Sequence, residues 1–197
     1  MKHADLTETE VASETVFQGK LLRVKCDTVR LHDGKPATRE YVEHNGAVMI
    51  IPVLDSGDLV MERQYRYALR RHCLEFPAGK IDPGEEPLAT GRRELLEETG
   101  YVAAEWIYLA TIHPTVAYST ERILVYLARG LEHRGGNPDE GEFLEVLTLP
   151  LAALLDLVRT GEITDVKTVI GVLWLEKLRG GEWPTGPASP GDNTGPA

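Results

Sequence analysis

Apolar and polar positions change rhythm along the chain, and the changes mark its elements. Ala47 to Leu54 is an almost unbroken apolar run of strand length, which predicts a strand buried on both faces. Asp55-Ser56-Gly57-Asp58 then reads as a turn and Leu59 to Tyr65 as a returning strand, together a hairpin. Upstream, Thr15 to Arg30 and Ala37 to Glu43 read as strands joined around Asp33-Gly34, an N-terminal antiparallel piece. Trp106 to Ile112 and Ile123 to Ala128 predict further strands, while Leu151 to Arg159 and Val166 to Leu178 have helical spacing and length. Residues 1–14 are polar and are expected to be loose. The Gly/Pro-rich stretch 180–197 cannot bury enough surface to order itself and is expected to be a disordered tail. Residues 15–179 are expected to form a single domain, a mixed sheet covered by helices, with residues 15–45 as a β extension.

Leu88 to Thr99 favours helix, entered through Asp82-Pro83-Gly84 and ended by Gly100, a residue suited to a left-handed C-terminal cap. Leu88, Arg92 and Leu95, with Ala89 and Leu96 beside them, are expected to face the core. Glu94, Glu97 and Glu98 share another face and are expected to converge on open space. Like charges three and four residues apart cost on the order of 0.2–0.5 kcal/mol per pair, and carboxylates in the last turns also oppose the helix dipole. Divalent cations would reverse that cost. Arg93, four residues before Glu97, can orient one of the carboxylates bidentately. The plainer alternative is a solvated acidic face, the usual meaning of a charge run in a chain with 31 acidic residues.

Composition narrows the picture. A chain of 197 residues with 42% hydrophobic content can build one substantial core without a second domain. A net charge of -10 argues against general nucleic-acid affinity, although a bridging metal would let an acidic site hold a small anion. Cys26 and Cys73 are too few for a disulfide framework, and the six histidines lack ligand spacing for zinc. The opening residues lack the apolar core of a signal peptide and no run approaches the ~20 apolar residues of a membrane span, so a cytoplasmic location with no membrane partner is expected.

The acids belong to a longer pattern: Gly79, five residues, Glu85, seven residues, then Arg93-Glu94-Leu95-Leu96-Glu97-Glu98-Thr99-Gly100-Tyr101. This resembles the signature of the Nudix hydrolase superfamily, a loop-helix-loop that binds divalent metal and diphosphate. Tyr101 stands where an aliphatic residue is usual. The resemblance implies the Nudix α/β/α sandwich, a mixed α/β fold, here with an N-terminal antiparallel β extension. It also implies two or more Mg²⁺ or Mn²⁺ ions held by Glu94, Glu97, Glu98 and the Ala78 carbonyl, with Arg93 orienting the cluster. Glu85 would stabilise the loop or bind through water.

Further segments resemble ADP-ribose pyrophosphatases and other nucleoside diphosphate sugar hydrolases. Asn137-Pro138-Asp139-Glu140-Gly141-Glu142 would be an ordinary polar turn by itself; the resemblance implies Glu140 as general base and Glu142 as a further metal ligand, with the two roles exchangeable. Arg63-Gln64-Tyr65-Arg66 leads toward Leu74-Glu75-Phe76-Pro77-Ala78-Gly79. A guanidinium there can bind a phosphate oxygen, Arg66 before Arg63, and Glu75 is either structural or in touch with substrate. His113-Pro114 followed by Tyr118-Ser119-Thr120-Glu121-Arg122 resembles a loop that borders the sugar, making Tyr118 and Glu121 candidate specificity residues. The N-terminal strands of similar enzymes exchange between protomers, which implies a homodimer. Arg39 and Glu43 would then reach adenine in the opposite subunit, or else are surface strand residues. The implied activity is hydrolysis of ADP-ribose to AMP and ribose 5-phosphate. A broader nucleotide-sugar hydrolase, for example on GDP-mannose, is the rival, and a non-catalytic ADP-ribose sensor the third possibility.

Overall fold

Val48 to Ile51 are wholly excluded from solvent, and the molecule is layered around the strand that holds them. The computed structural model of the chain describes residues 4–136 and 143–184. In chain order its strands are β1 (Thr9–Gln18), β2 (Arg23–Arg30), β3 (Pro36–Glu43), β4 (Ala47–Pro52), β5 (Leu59–Arg66), β6 (Arg71–Glu75), β7 (Ala78–Lys80), β8 (Tyr101–Ile112), β9 (Ile123–His133) and β10 (Leu144–Leu149). The helices are α1 (Pro87–Thr99), α2 (Leu151–Thr160) and α3 (Val166–Arg179). Three sheets result, with orders β1-β2-β3, β10-β5-β6 and β7-β4-β9-β8.

Alternation along β4 explains the layering. Met49 and Ile51 join Met61, Phe76 and Leu127 in a core completed by Leu154 of α2 and by Val172 and Leu175 of α3. Val48 and Ile50 point the other way, into a second core with Leu95 of α1, Tyr108 and Tyr126. A helix therefore covers each face, the sandwich implied by the resemblance. β4 pairs in parallel with β9 and antiparallel with β7, which brings Ala78 opposite Met49 and Gly79 opposite Val48. That pairing fixes the edge on which the acidic helix rests.

Several expectations need correction. The N-terminal strand begins at Thr9, inside the stretch read as loose, and the strand read from Thr15 to Arg30 is two strands turned at Gly19-Leu22, where the Gly19 amide donates to the Leu22 carbonyl at 2.8 Å. β1 is exposed at every position and is held by backbone pairing with β2, so no hydrophobic period marked it. The hairpin of Ala47–Leu54 with Leu59–Tyr65 has its turn, but its strands diverge into different sheets after the single bridge Val53–Leu59. Residues 180–184 fold back on α3, with Trp183 edge-on to Trp174 at 4.8 Å; residues 185–197 of the expected tail lie outside the described residues. The buried side of α1 is Thr90, Gly91, Leu95, Glu98 and Thr99, whereas Ala89 and Arg92 are exposed. The acids consequently face the β7 edge, and Glu98 is buried rather than open to solvent.

Candidate active site

α1 is seated by its two ends. Glu85, in the loop before it, accepts from the Thr90 hydroxyl at 2.7 Å and from the Asp82 amide at 3.3 Å. Gly100 closes the other end at φ 76, its amide donating to the Leu96 carbonyl. A Cβ there would also lie 2.7 Å from the Gly136 amide nitrogen, so glycine is required twice over.

Between these ends Arg93 organises the acids. Its Nε and Nη2 donate to the two oxygens of Glu85 at 3.1 Å each, and Nη1 donates to Glu94 at 2.8 Å and to Glu97 at 3.0 Å. The guanidinium holds the Glu85 carboxyl down to about 2, helped by the Thr90 hydroxyl, while its own pKa is raised by the Glu85 hydrogen bonds first and then by Glu94 and Glu97. Glu85 is thus the anchor of the loop and of Arg93. Glu98 reaches across to β7 and accepts from the Ala78 amide at 3.1 Å.

Gly79 is the close approach on which the site depends. A Cβ at that position would lie 1.8 Å from Oε1 of Glu94, so only glycine lets this carboxylate lie against the β7 backbone. A cavity of about 420 Å³ opens here, lined by Ala78, Gly79, Lys80, Arg93, Glu94, Glu97, Glu98 and, from other parts of the chain, Arg66 and Leu21. Carboxylate oxygens with a neighbouring backbone carbonyl are the donors a hard divalent cation takes, and the glycine cradle gives them room to meet. The residues fit such an ion. As the side chains stand, no group of three His, Cys, Asp or Glu among the described residues is gathered as a metal site; Arg93 lies between Glu94 and Glu97 and satisfies both.

A second charged cluster forms the adjoining wall. Arg66 Nε and Nη2 donate to the two oxygens of Glu75 at 2.7 Å each. The Lys167 ammonium, in the first turn of α3, also donates to Glu75 and reaches Asp165 at 2.9 Å. Asp165 caps α3 by accepting from the Thr168 amide at 3.0 Å, and the Thr168 hydroxyl in turn accepts from the Phe76 amide at 3.1 Å. Burial alone would raise the pKa of Glu75, but Arg66 and Lys167 outweigh it and hold the carboxyl at about 2. A cavity of about 320 Å³ is bounded by Arg66, Lys167, Asp165, His44, Pro114 and Glu121, and shares Arg66, Ala78, Gly79 and Lys80 with the first.

Ala78, Glu85, Arg93, Glu94, Glu97, Glu98 and Arg66 are therefore gathered at one place, whereas other candidates are not. Arg63 stands three residues before Arg66, on the opposite face of β5, and pairs with Glu145 at 3.0 Å on the surface. Tyr118 and Glu121 do not share a cavity: Glu121 borders the one beside Arg66, but Tyr118 lines a separate one of about 300 Å³ with Arg39 and Tyr41. Arg39 is engaged at 2.8 Å by Glu8, just before β1, and Glu43 at 2.7 Å by Arg23 of the neighbouring strand. Glu140 and Glu142 lie outside the described residues. Asp165 and Lys167 were missed in the sequence. The available signal was Asp165 as an N-cap directly before the helical period of Val166 to Leu178.

Residues 43–169 match the NUDIX domain, and residues 8–42 match the nucleoside diphosphate sugar hydrolase N-terminal domain. The chain belongs to the Nudix family. This Nudix chain is 38% identical to an ADP-ribose pyrophosphatase of Bacillus subtilis (strain 168), the match covering 87% of this chain and 94% of that protein. It is 36% identical to a methanol dehydrogenase activator of Bacillus methanolicus, covering 86% and 92% of the two chains. The crystal structure of an ADP compounds hydrolase superposes with a TM-score of 0.80 at 26% identity, covering 91% of the Nudix chain and 98% of that chain. No helix among the described residues is long and apolar enough to cross a membrane.

Proposed function

We propose that this Nudix pyrophosphohydrolase cleaves the diphosphate bond of ADP-ribose to AMP and ribose 5-phosphate with Mg²⁺ or Mn²⁺. The observation that carries the reading is the seating of the acidic face of α1 on Gly79, across a cavity from the guanidinium of Arg66. The similarity to the Bacillus subtilis ADP-ribose pyrophosphatase supports the choice of substrate.

Glu94, Glu97, Glu98 and the Ala78 carbonyl would hold the ions, which supply charge neutralisation of the diphosphate and a more acidic water. Arg93 keeps Glu94 and Glu97 oriented, and Glu85 keeps Arg93 in place. Arg66 donates to a phosphate oxygen from the opposite wall. Glu140 would take a proton from the attacking water and Glu142 would add a ligand, exchangeable roles that the family resemblance implies for them. Glu121 borders the sugar.

Homodimerisation is part of the proposal. β1 exposes Val11, Val16 and Phe17, apolar surface that a second copy would cover, and Arg39 and Tyr118 line a cavity beside β3 open to a nucleobase. Light scattering should give a mass of two chains. The match of residues 8–42 to a nucleoside diphosphate sugar hydrolase domain favours a second, broader reading over several sugars. Incubation with Mg²⁺ and a panel of ADP-ribose, ADP-glucose, GDP-mannose and NADH separates the two. Preferential release of AMP and ribose 5-phosphate supports the first, equal turnover of several sugars the second, and no turnover with any of them removes both.

A further inference from the structure

We propose that Lys167 is a positioning residue for the diphosphate site, fixing through Glu75 the orientation in which the Arg66 guanidinium meets substrate. The proposal rests on the phosphate-binding role given to Arg66 above.

Arg66 closes β5, and its side chain is 43% exposed. In the ladder it lies opposite Arg71, while Glu75 lies opposite Glu62, four residues back along the strand. Four residues of strand span roughly 13 Å, so Arg66 folds back along the sheet to reach Glu75. A long, half-exposed arginine holds such a pose only if its partner is itself fixed, since the rotamer entropy of its side chain opposes it. Glu75 cannot be fixed by Arg66 alone. It is buried, which penalises its ionised form, and its cross-strand neighbour Glu62 is an acid that offers it no positive charge.

Lys167 removes that penalty. It is 9% exposed, and its two described contacts are both carboxylates, Glu75 and Asp165. Its placement is set by α3: Asp165 caps the helix and binds Lys167 with the same Oδ2. Thr168, one residue on, holds the Phe76 amide, so the first turn of α3 grips the side chain of Glu75 and the backbone of its neighbour. Phe76 is itself seated where Gly171 of α3 leaves no room for a Cβ, which would lie 2.9 Å from its ring. The path runs from α3 to Glu75 and then to Arg66, whose Nε and Nη2 are committed to Glu75. Of its five N–H groups the remainder, Nη1 among them, are left for an oxyanion on the cavity side.

The test is a double-mutant cycle joined to a measurement that needs no catalysis. Wild type, Lys167→Met, Arg66→Gln and the double variant are compared for kcat and KM with ADP-ribose and Mg²⁺. ¹⁵N relaxation of the Arg66 Nε–H group is recorded in each ligand-free protein that retains Arg66. Lys167→Met should raise KM about tenfold with kcat within about twofold, loosen the Arg66 group, and add nothing to Arg66→Gln in the double variant. Lys167→Arg, which keeps a cation, should recover most of the KM. Independent, multiplying effects in the cycle, or an Arg66 group as ordered in Lys167→Met as in wild type, would overturn the proposal. Should Lys167→Met not fold, Glu75→Gln carries the same relaxation test, and unchanged order of Arg66 there overturns it as well. A wild-type protein that hydrolyses no nucleoside diphosphate defeats the proposed function, and the relaxation data still decide the positioning role.

Discussion

Two charged clusters meet at adjoining cavities that share Arg66, and they are built to opposite rules. Around Arg93, one guanidinium pairs with the three carboxylates of Glu85, Glu94 and Glu97, and Glu98 lines the same cavity, so acids outnumber the cation they gather on. Around Glu75, the cations Arg66 and Lys167 balance the anions Glu75 and Asp165. The balanced cluster is complete in itself and suits a framework that aims a side chain. The unbalanced one sets three carboxylates on one guanidinium, oxygen donors that would suit a divalent ion, which would in turn hold the diphosphate.

The largest effects should come from the unbalanced cluster. Glu98→Gln removes charge while keeping an oxygen for the Ala78 amide, so the melting temperature should hold as turnover falls about 10³-fold, the several kcal/mol a metal supplies to a phosphoryl transition state. Unchanged turnover would remove Glu98 from the metal site. Glu140→Gln should cost about 10²-fold in kcat at saturating Mg²⁺ and Glu142→Gln far less; the reverse order would exchange their roles. Gly79→Ala should weaken Mg²⁺ activation about tenfold, because the new methyl group displaces Glu94. A wild-type Mg²⁺ response in that variant would show that Glu94 has no need of its cradle.

The balanced cluster should answer to acid instead. The Glu75 carboxyl is depressed from 4.5 to about 2, so its stabilisation is fully present above the ordinary value and is lost as pH falls through the folded one. Wild type should therefore lose up to about 3 kcal/mol between those pH values that Glu75→Gln, weaker at neutral pH, does not lose. Parallel stability curves for the two proteins across that window, followed by chemical denaturation, would show that the charge balance contributes nothing.

These clusters also differ in how far the sequence disclosed them. The acidic face of α1 lies within one helix, where a period of 3.6 and a capping glycine are local facts, and Glu94, Glu97, Glu98 and Arg93 could be placed together directly. The balanced cluster joins residues 66, 75, 165 and 167 across two strands and a helix, and no local period brings those together. Burial patterns show the same limit. β4 was legible because it is apolar throughout, whereas Thr9 to Glu14 of β1 carry no core-facing period and were read as loose. On α1 Leu88 and Leu95 do pack on the core, but Thr90 and Gly91 take buried positions that a hydrophobic count gives to Ala89.

Calorimetric titration of Mn²⁺ into metal-free protein probes the contrast most directly. Wild type and Arg66→Gln should bind with similar affinity, since the balanced cluster holds no ion, while Glu98→Gln should bind at least about tenfold more weakly. Absence of Mn²⁺ binding to wild type, or equal affinity in Glu98→Gln, would contradict the reading of the acidic helix face as a metal site.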